Sequence, residues 1–338
     1  MKSFCITGLF LISAFTLLSC HEDDTEDPTN EWNYEFIGKP MGNSEVNTIT
    51  IHHEDDDLWF VTSWRGIYLT RDGGNSWENH FTGFTPALEL DPNNPSRIFV
   101  GSGVELYLST DYGKSWTHIN SFPRAIISIL ISEVDNSVYV GLAWEDSEIE
   151  NGIYKSNDLG ETWIHYPYNV DAKGLIPWDI EEDAENQMLY IATEIWDHPE
   201  PYHPPFLRSS DGGITWEDIS GSLSWHALKI QVHPLTKDVY VLTEGAGLYC
   251  SSNFGDEWKY LGNDFWLDFI IDKNNPQRFW GGNHTYNQSS GGVYLSDNEG
   301  RDFKFIGLND HIVGSLCLNR NSTSLYVASY GSGIFIVK

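Results

Sequence analysis

Short apolar runs recur along the chain, separated by polar, turn-forming stretches. One set reads Leu58-Trp59-Phe60, Ile98-Phe99-Val100, Val138-Tyr139-Val140, Leu189-Tyr190-Ile191, Val239-Tyr240-Val241, Arg278-Phe279-Trp280 and Leu325-Tyr326-Val327. A second set carries tyrosine: Gly66-Ile67-Tyr68-Leu69, Glu105-Leu106-Tyr107-Leu108, Gly152-Ile153-Tyr154, Gly247-Leu248-Tyr249 and Gly292-Val293-Tyr294-Leu295. Aromatic and β-branched residues in runs this short predict strands. Turns such as Asp91-Pro92-Asn93-Asn94-Pro95 and Asp272-Lys273-Asn274-Asn275-Pro276 join upstream strands, and short edge strands such as Trp258–Gly262 and Phe303–Gly307 close each unit. The pattern therefore predicts four antiparallel strands per unit, A to D, repeating at roughly 40–50 residues, the signature of a propeller blade.

Between the third and fourth strands lies one polar motif in several copies. It reads Thr70-x-Asp72-x-Gly74-x-Ser76-Trp77, Ser109-x-Asp111-x-Gly113-x-Ser115-Trp116, Ser156-x-Asp158-x-Gly160-x-Thr162-Trp163 and Ser209-x-Asp211-x-Gly213-x-Thr215-Trp216. Ser251-x-Asn253-x-Gly255-x-Glu257-Trp258 and Ser296-x-Asn298-x-Gly300-x-Asp302-Phe303 keep the frame. Asp, Ser and Thr oxygens can cap backbone N–H groups of a tight turn while Gly supplies a positive φ. These aspartates are read as turn scaffolding, not as metal ligands or catalysts, with each Trp packing between sheets.

Six complete repeats start near Val46, Pro86, Ala125, Ile176, Ala227 and Trp266, and a seventh starts near Ile312. The seventh ends after its third strand, Gly333–Val337, while Trp32–Gly38 reads like the outer strands elsewhere. Pairing the two closes the ring and removes exposed edges. The expected architecture is an all-β, seven-bladed propeller over residues 31–338.

The repeated motif resembles the Asp-box, or bacterial neuraminidase repeat. That superfamily includes sialidases, xyloglucan hydrolases, sortilin-type receptors and a photosystem II assembly factor, so the resemblance implies a fold and several possible functions. Sialidases carry an arginine triad and a Phe-Arg-Ile-Pro-like motif; Phe122-Pro123-Arg124-Ala125 departs from it, and seven blades is one too many. Sialidase activity is not expected. Xyloglucan hydrolases are similar in blade style but work between two propellers, and the assembly factor matches in length and blade number.

The N-terminus changes the picture of location. Lys2, the apolar stretch Phe4 to Leu18 and Leu17-Leu18-Ser19-Cys20 resemble a bacterial lipobox, which implies a signal peptide over 1–19 and lipid on Cys20. An acidic tether over 20–30 follows, similar to the export signal of Bacteroidetes surface lipoproteins. The expectation is an outer-membrane anchor, with the domain facing the medium as a monomer. Cys250 and Cys317 fall on non-neighbouring blades and are expected as free thiols. A formal charge of −30 excludes a nucleic-acid partner, which needs clustered Lys and Arg.

Candidate chemistry gathers on the face bearing the D–A and B–C loops. Aligned innermost strands give the column Thr48, Ala87, Ser128, Asp179, Lys229, Asp268, Ser315; the column after the second strands gives Ser63, Gly103, Ala143, Glu194, Glu244, Asn283, Tyr330. Two readings follow. Asp179, Asp268, Glu194 and Glu244 supply a general acid and a base or nucleophile tuned by Lys229, or Asp179–Lys229–Asp268 is an ion-pair network filling a wet channel. Trp64, Trp144, Trp178, Trp196, Trp225 and Trp266 offer flat faces for sugar rings, about half of them expected to be exposed. Arg65, Arg124 and Lys173 are expected to hold a ligand carboxylate, and His198, His203, His226, His284 and His311 share the face. No metal-ligand spacing is recognisable, and no metal or cofactor is expected. The first functional expectation is a surface protein that binds, and in one form cleaves, a neutral or weakly acidic glycan. The alternative is a protein-binding or assembly scaffold without catalysis.

Overall fold

The computed structural model describes residues 32–40, 46–143, 151–170, 174–195, 205–221, 223, 226–262, 266–283 and 291–338. Seven four-stranded antiparallel sheets form the blades of a closed propeller within Trp32–Lys338. The innermost strands are Val46–His52, Ala87–Leu90, Ile126–Ile131, Leu175–Asp183, Ala227–Val232, Trp266–Ile271 and Val313–Leu318. These begin within a residue or so of the starts expected from the repeats. Tyr34–Gly38 pairs with Gly333–Val337 as the outer strand of blade 7, so the two ends of the chain close the ring.

The core lies between blades. Trp59 stacks edge-on against Tyr326 at 4.8 Å, joining blade 1 to blade 7, and Phe279 meets Tyr240 at 4.9 Å between blades 6 and 5. The second strands supply much of it, for example Val138, Tyr139 and Val140, each at most 3% exposed.

The repeated turn is built as its residues demand. Ser109 Oγ accepts the Gly113 N–H at 2.8 Å and donates to Asp111 Oδ1 at 2.9 Å. Asp111 in turn accepts the N–H and the hydroxyl of Ser115. These bonds from Ser115 hold the Asp111 carboxyl down at about 2. Blade 6 reverses the polarity: Asn298 Nδ2 donates to the Asp302 carboxylate at 3.0 Å. Glycine does not supply the only positive φ, as the sequence suggested. The preceding residue is left-handed as well, and Tyr112, Leu159, Phe254 and Glu299 hold φ between 59° and 63° there, a conformation that costs L-residues about 1 kcal/mol or more.

A second device, on the A–B turns, was missed. The residue closing each innermost strand is polar and buried in all seven blades: His52, Asp91, Ser132, Asp183, His233, Asp272 and Asn319. Each accepts one or two N–H groups of its own A–B turn, as Asp91 does from Asn93 and Asn94. This face is thus occupied by self-satisfied turns.

One alignment needs correcting. In blades 1 and 6, Trp59 and Phe279, rather than Leu58 and Arg278, pair with the ends of the core strands Ile51 and Ile271. A one-residue slip exchanges the two faces of a strand. The column after the second strands therefore runs through Trp64 in blade 1, not Ser63. The innermost column is unaffected: Thr48, Ser128, Asp179, Lys229, Asp268 and Ser315 each sit beside the register shift of their inner strand, and Ala87 pairs with Gly101 in blade 2, whose inner strand has none.

Candidate functional site

The four carboxylates expected at one site separate into two groups. The first lines the channel. An innermost strand has a sheet partner on one side only, so N–H groups on its other edge need acceptors from elsewhere. The preceding blade provides them. Asp179 Oδ2 accepts the Ile230 N–H at 3.0 Å, Asp268 Oδ2 the Leu316 N–H at 2.7 Å, and Ser315 Oγ the Ile49 N–H at 3.2 Å. Lys229 has no acceptor to offer. Two residues further along the same strand, Gln231 Oε1 takes the Ile271 N–H at 2.7 Å instead. Glu181 and Cys317 do the same for Val232 and Ile51.

Lys229 Nζ stands 3.6 Å from Asp179 Oδ2, and its ammonium is held charged by Asp179 foremost and also by Asp268 and Glu181. Asp179 and Lys229 side chains keep 21% and 34% of their surface open, so the channel is accessible to solvent although walled by protein. Burial nonetheless raises the channel acids. Asp268 is pushed up to about 6, Glu181 to about 7 and Glu89 to about 8, against partial relief from Lys229. Glu89 and Glu181 were missed, though Glu181 is legible as the residue two beyond Asp179 on the same strand face.

The second group sits at the rim between blades 4 and 5. Glu194 Oε2 accepts the Trp178 indole N–H at 2.5 Å. His226 offers Nδ1 to the Ile195 N–H at 3.4 Å, and its carbonyl accepts the Glu244 N–H at 2.8 Å. One ligand-capable atom each of Glu194, His226 and Glu244 lies within 4.8 Å of the others, and this trio has the donor types to hold a metal ion. Burial raises the Glu194 carboxyl, the Trp178 N–H and His226 lower it, and Glu244 raises it again; the net direction is upward.

The aromatics divide as well. Trp64, 44% exposed, stacks on Phe84 with centroids 4.5 Å apart and planes at 22°. Trp64 comes from the B–C turn of blade 1 and Phe84 from the connection into blade 2, so both loop types of this face build one flat platform, with exposed Arg65 next to it. Trp266 is different. It is 3% exposed, edge-on to Phe303 at 4.3 Å, with its ring filling the space above Gly281. It is inter-blade core with no face left for a ligand. Arg124 is 7% exposed and lines a small, partly open hollow of about 20 Å³ with Pro123, Leu142 and Tyr168, room for about one water and too small for a ligand carboxylate. A larger hollow of about 520 Å³, lined by Glu35, Asp56, Asp57, Gly73 and Lys338, belongs to the opposite, turn-bearing side of blades 7 and 1. His311 packs on Phe335 at 4.7 Å, and burial lowers its imidazole pKa. Cys20, Trp144, Lys173, Trp196, His198, His203, Trp225 and His284 lie outside the described residues.

Comparison with known proteins agrees with this architecture. Residues 106–119 match the family profile BNR-Asp box repeat. Among curated proteins, the chain is 22% identical over 256 residues to an oligoxyloglucan-reducing end-specific xyloglucanase of Emericella nidulans, covering 60% of this chain and 30% of that one. It is 30% identical over 162 residues to xyloglucanase Xgh74A of Acetivibrio thermocellus, covering 37% and 18%. The chain thus spans less than a third of the length of these relatives. Among solved structures, the GH74 enzyme of Niastella koreensis superposes with a TM-score of 0.70 at 18% identity, covering 90% of this chain and 53% of that one. YCF48 bound to D1 peptide superposes with a TM-score of 0.65 at 13% identity, covering 91% and 96%. The fold class is an all-β propeller. More particularly, the chain is a seven-bladed Asp-box propeller, similar in fold to xyloglucanases and to YCF48.

Proposed function

We propose that this propeller is a recognition protein that binds a neutral or weakly acidic glycan across its D–A/B–C rim, without cleavage by the channel carboxylates. The Trp64–Phe84 platform carries the reading. A flat indole held parallel to a second ring and left 44% exposed is a surface made for stacking. The xyloglucanase relatives favour a sugar ligand, and the charge of −30 favours a neutral chain over a polyanion. The bonding of Asp179 and Asp268 to neighbouring backbone argues that those acids hold blades together. A second reading, peptide or protein binding by the same rim, is favoured by one observation: YCF48, bound to a D1 peptide, is matched over nearly its whole length by this single propeller. Lipid on Cys20 and display at the outer-membrane surface complete the proposal.

Calorimetry against xyloglucan oligosaccharides and a panel of other neutral glycans, with product analysis in the same samples, tests it. Binding without product, weakened at least about 10-fold (~1.4 kcal/mol) in Trp64→Ala, is expected. No binding across the panel, or release of reducing ends lost in Asp179→Asn, would overturn it.

A further inference from the structure

Three separate segments meet where blade 4 faces blade 5. Glu194 lies near the end of the second strand of blade 4, His226 stands immediately before the innermost strand of blade 5, and Glu244 follows its second strand. We infer that Glu194, His226 and Glu244 form a binding site for one divalent transition-metal ion of the zinc type, shared between the two blades.

The distances suit such an ion. In a tetrahedral shell with metal–ligand bonds of about 2.0–2.2 Å, ligand atoms stand about 3.4 Å apart. The trio lies within 4.8 Å, so each edge closes by at most about 1.4 Å on binding, within reach of side-chain adjustment at the exposed Glu244. The charge also suits it. Among the described residues, the groups acting on the Glu194 carboxyl are Trp178, His226 and Glu244, with no Lys or Arg among them, so the two carboxylates repel each other with only the His226 imidazole to offset them. An ion removes that repulsion.

The outer partners are those of a ligand set. The Trp178 N–H fixes the orientation of Glu194, and the backbone bond from Glu244 to the His226 carbonyl couples the two blade 5 segments. The 3.4 Å contact from Ile195 N–H to His226 Nδ1 is long, leaving that ring lone pair loosely engaged. One imidazole with two carboxylates suits zinc or manganese better than calcium, which takes six to eight oxygens. Because Glu244 is exposed, the open coordination position faces solvent, where water or a ligand oxygen completes the shell.

Equilibrium dialysis and calorimetry of the full chain with zinc chloride, in the absence of any glycan, test this separately from ligand recognition. One ion bound at micromolar or tighter Kd is expected, weakened at least about 10-fold in Glu244→Gln and in His226→Gln. Glu244 is exposed and makes its backbone bond through N–H, so its variant retains the fold. Uptake unchanged in both variants, uptake only at millimolar zinc, or tighter binding of calcium than of zinc would each overturn the assignment.

Discussion

Replacing Asp268 separates the two roles open to a buried carboxylate. Its Oδ2 accepts the Leu316 N–H at 2.7 Å, its Oδ1 is buried without a partner, and the residue is 7% exposed. Burial holds the carboxyl at about 6 against an ordinary 3.8, a gap of about two pH units, or about 3 kcal/mol against the charged form. Asp268→Asn keeps an amide oxygen for Leu316 and removes that charge, while Lys229 loses one of its two main counter-charges and keeps Asp179. At pH 8 the Asn variant should equal or exceed the wild type by up to about 2 kcal/mol. Near pH 4.5, where the wild-type carboxyl is already protonated, the two should converge to within about 0.5 kcal/mol. Asp268→Ala strands the Leu316 N–H and should be about 1–3 kcal/mol less stable than Asp268→Asn at both pH values. Urea unfolding followed by tryptophan fluorescence gives all three midpoints. An Asn variant weaker than the wild type at pH 8 by more than about 1 kcal/mol would mean that the charge itself stabilises the ring, and the reasoning would fail.

Other consequences follow from the same bonds. Asp268, Glu181 and Glu89 bind protons more tightly folded than unfolded, so stability should fall as pH rises from about 4 to about 8. The box aspartates Asp111 and Asp158, held down at about 2, act oppositely, and their contribution is lost as pH falls from about 4 toward 2. The urea midpoint should therefore be higher at pH 5 than at pH 8; the reverse order would contradict the channel assignment. Ser109→Ala leaves the buried Gly113 N–H without its acceptor and should cost about 1–3 kcal/mol, with no change in ligand binding. Glu299→Gly relieves a left-handed φ of 60° and should stabilise by up to about 1 kcal/mol, read as a raised denaturation midpoint.

The fold was legible because its signals are local and repeated. A box of fixed spacing, a tyrosine strand before it and a leftover strand at the N-terminus leave one way to close the ring, and Tyr34–Gly38 takes it. What sequence could not supply was the direction in which a side chain points. Trp64 and Trp266 are alike as letters beside neighbouring loops, yet one lies on Phe84 at the surface and the other fills the space that Gly281 leaves. Asp179 and Asp268 were found by column but not their task, because an inter-blade bond to a backbone N–H leaves no trace in spacing. Glu194, His226 and Glu244 come from segments 18 or more residues apart (194 to 226 to 244), and only the register of blades 4 and 5 brings them together.

The proposed division of labour lies between an outward-facing aromatic platform and inward acids that tie blades together. Ligand binding measured in parallel for Trp64→Ala and Asp179→Asn is its most direct trial. Loss of affinity in the tryptophan variant, with the asparagine variant binding like the wild type, is the predicted result. Intact binding without the indole, together with its loss on neutralising Asp179, would contradict it.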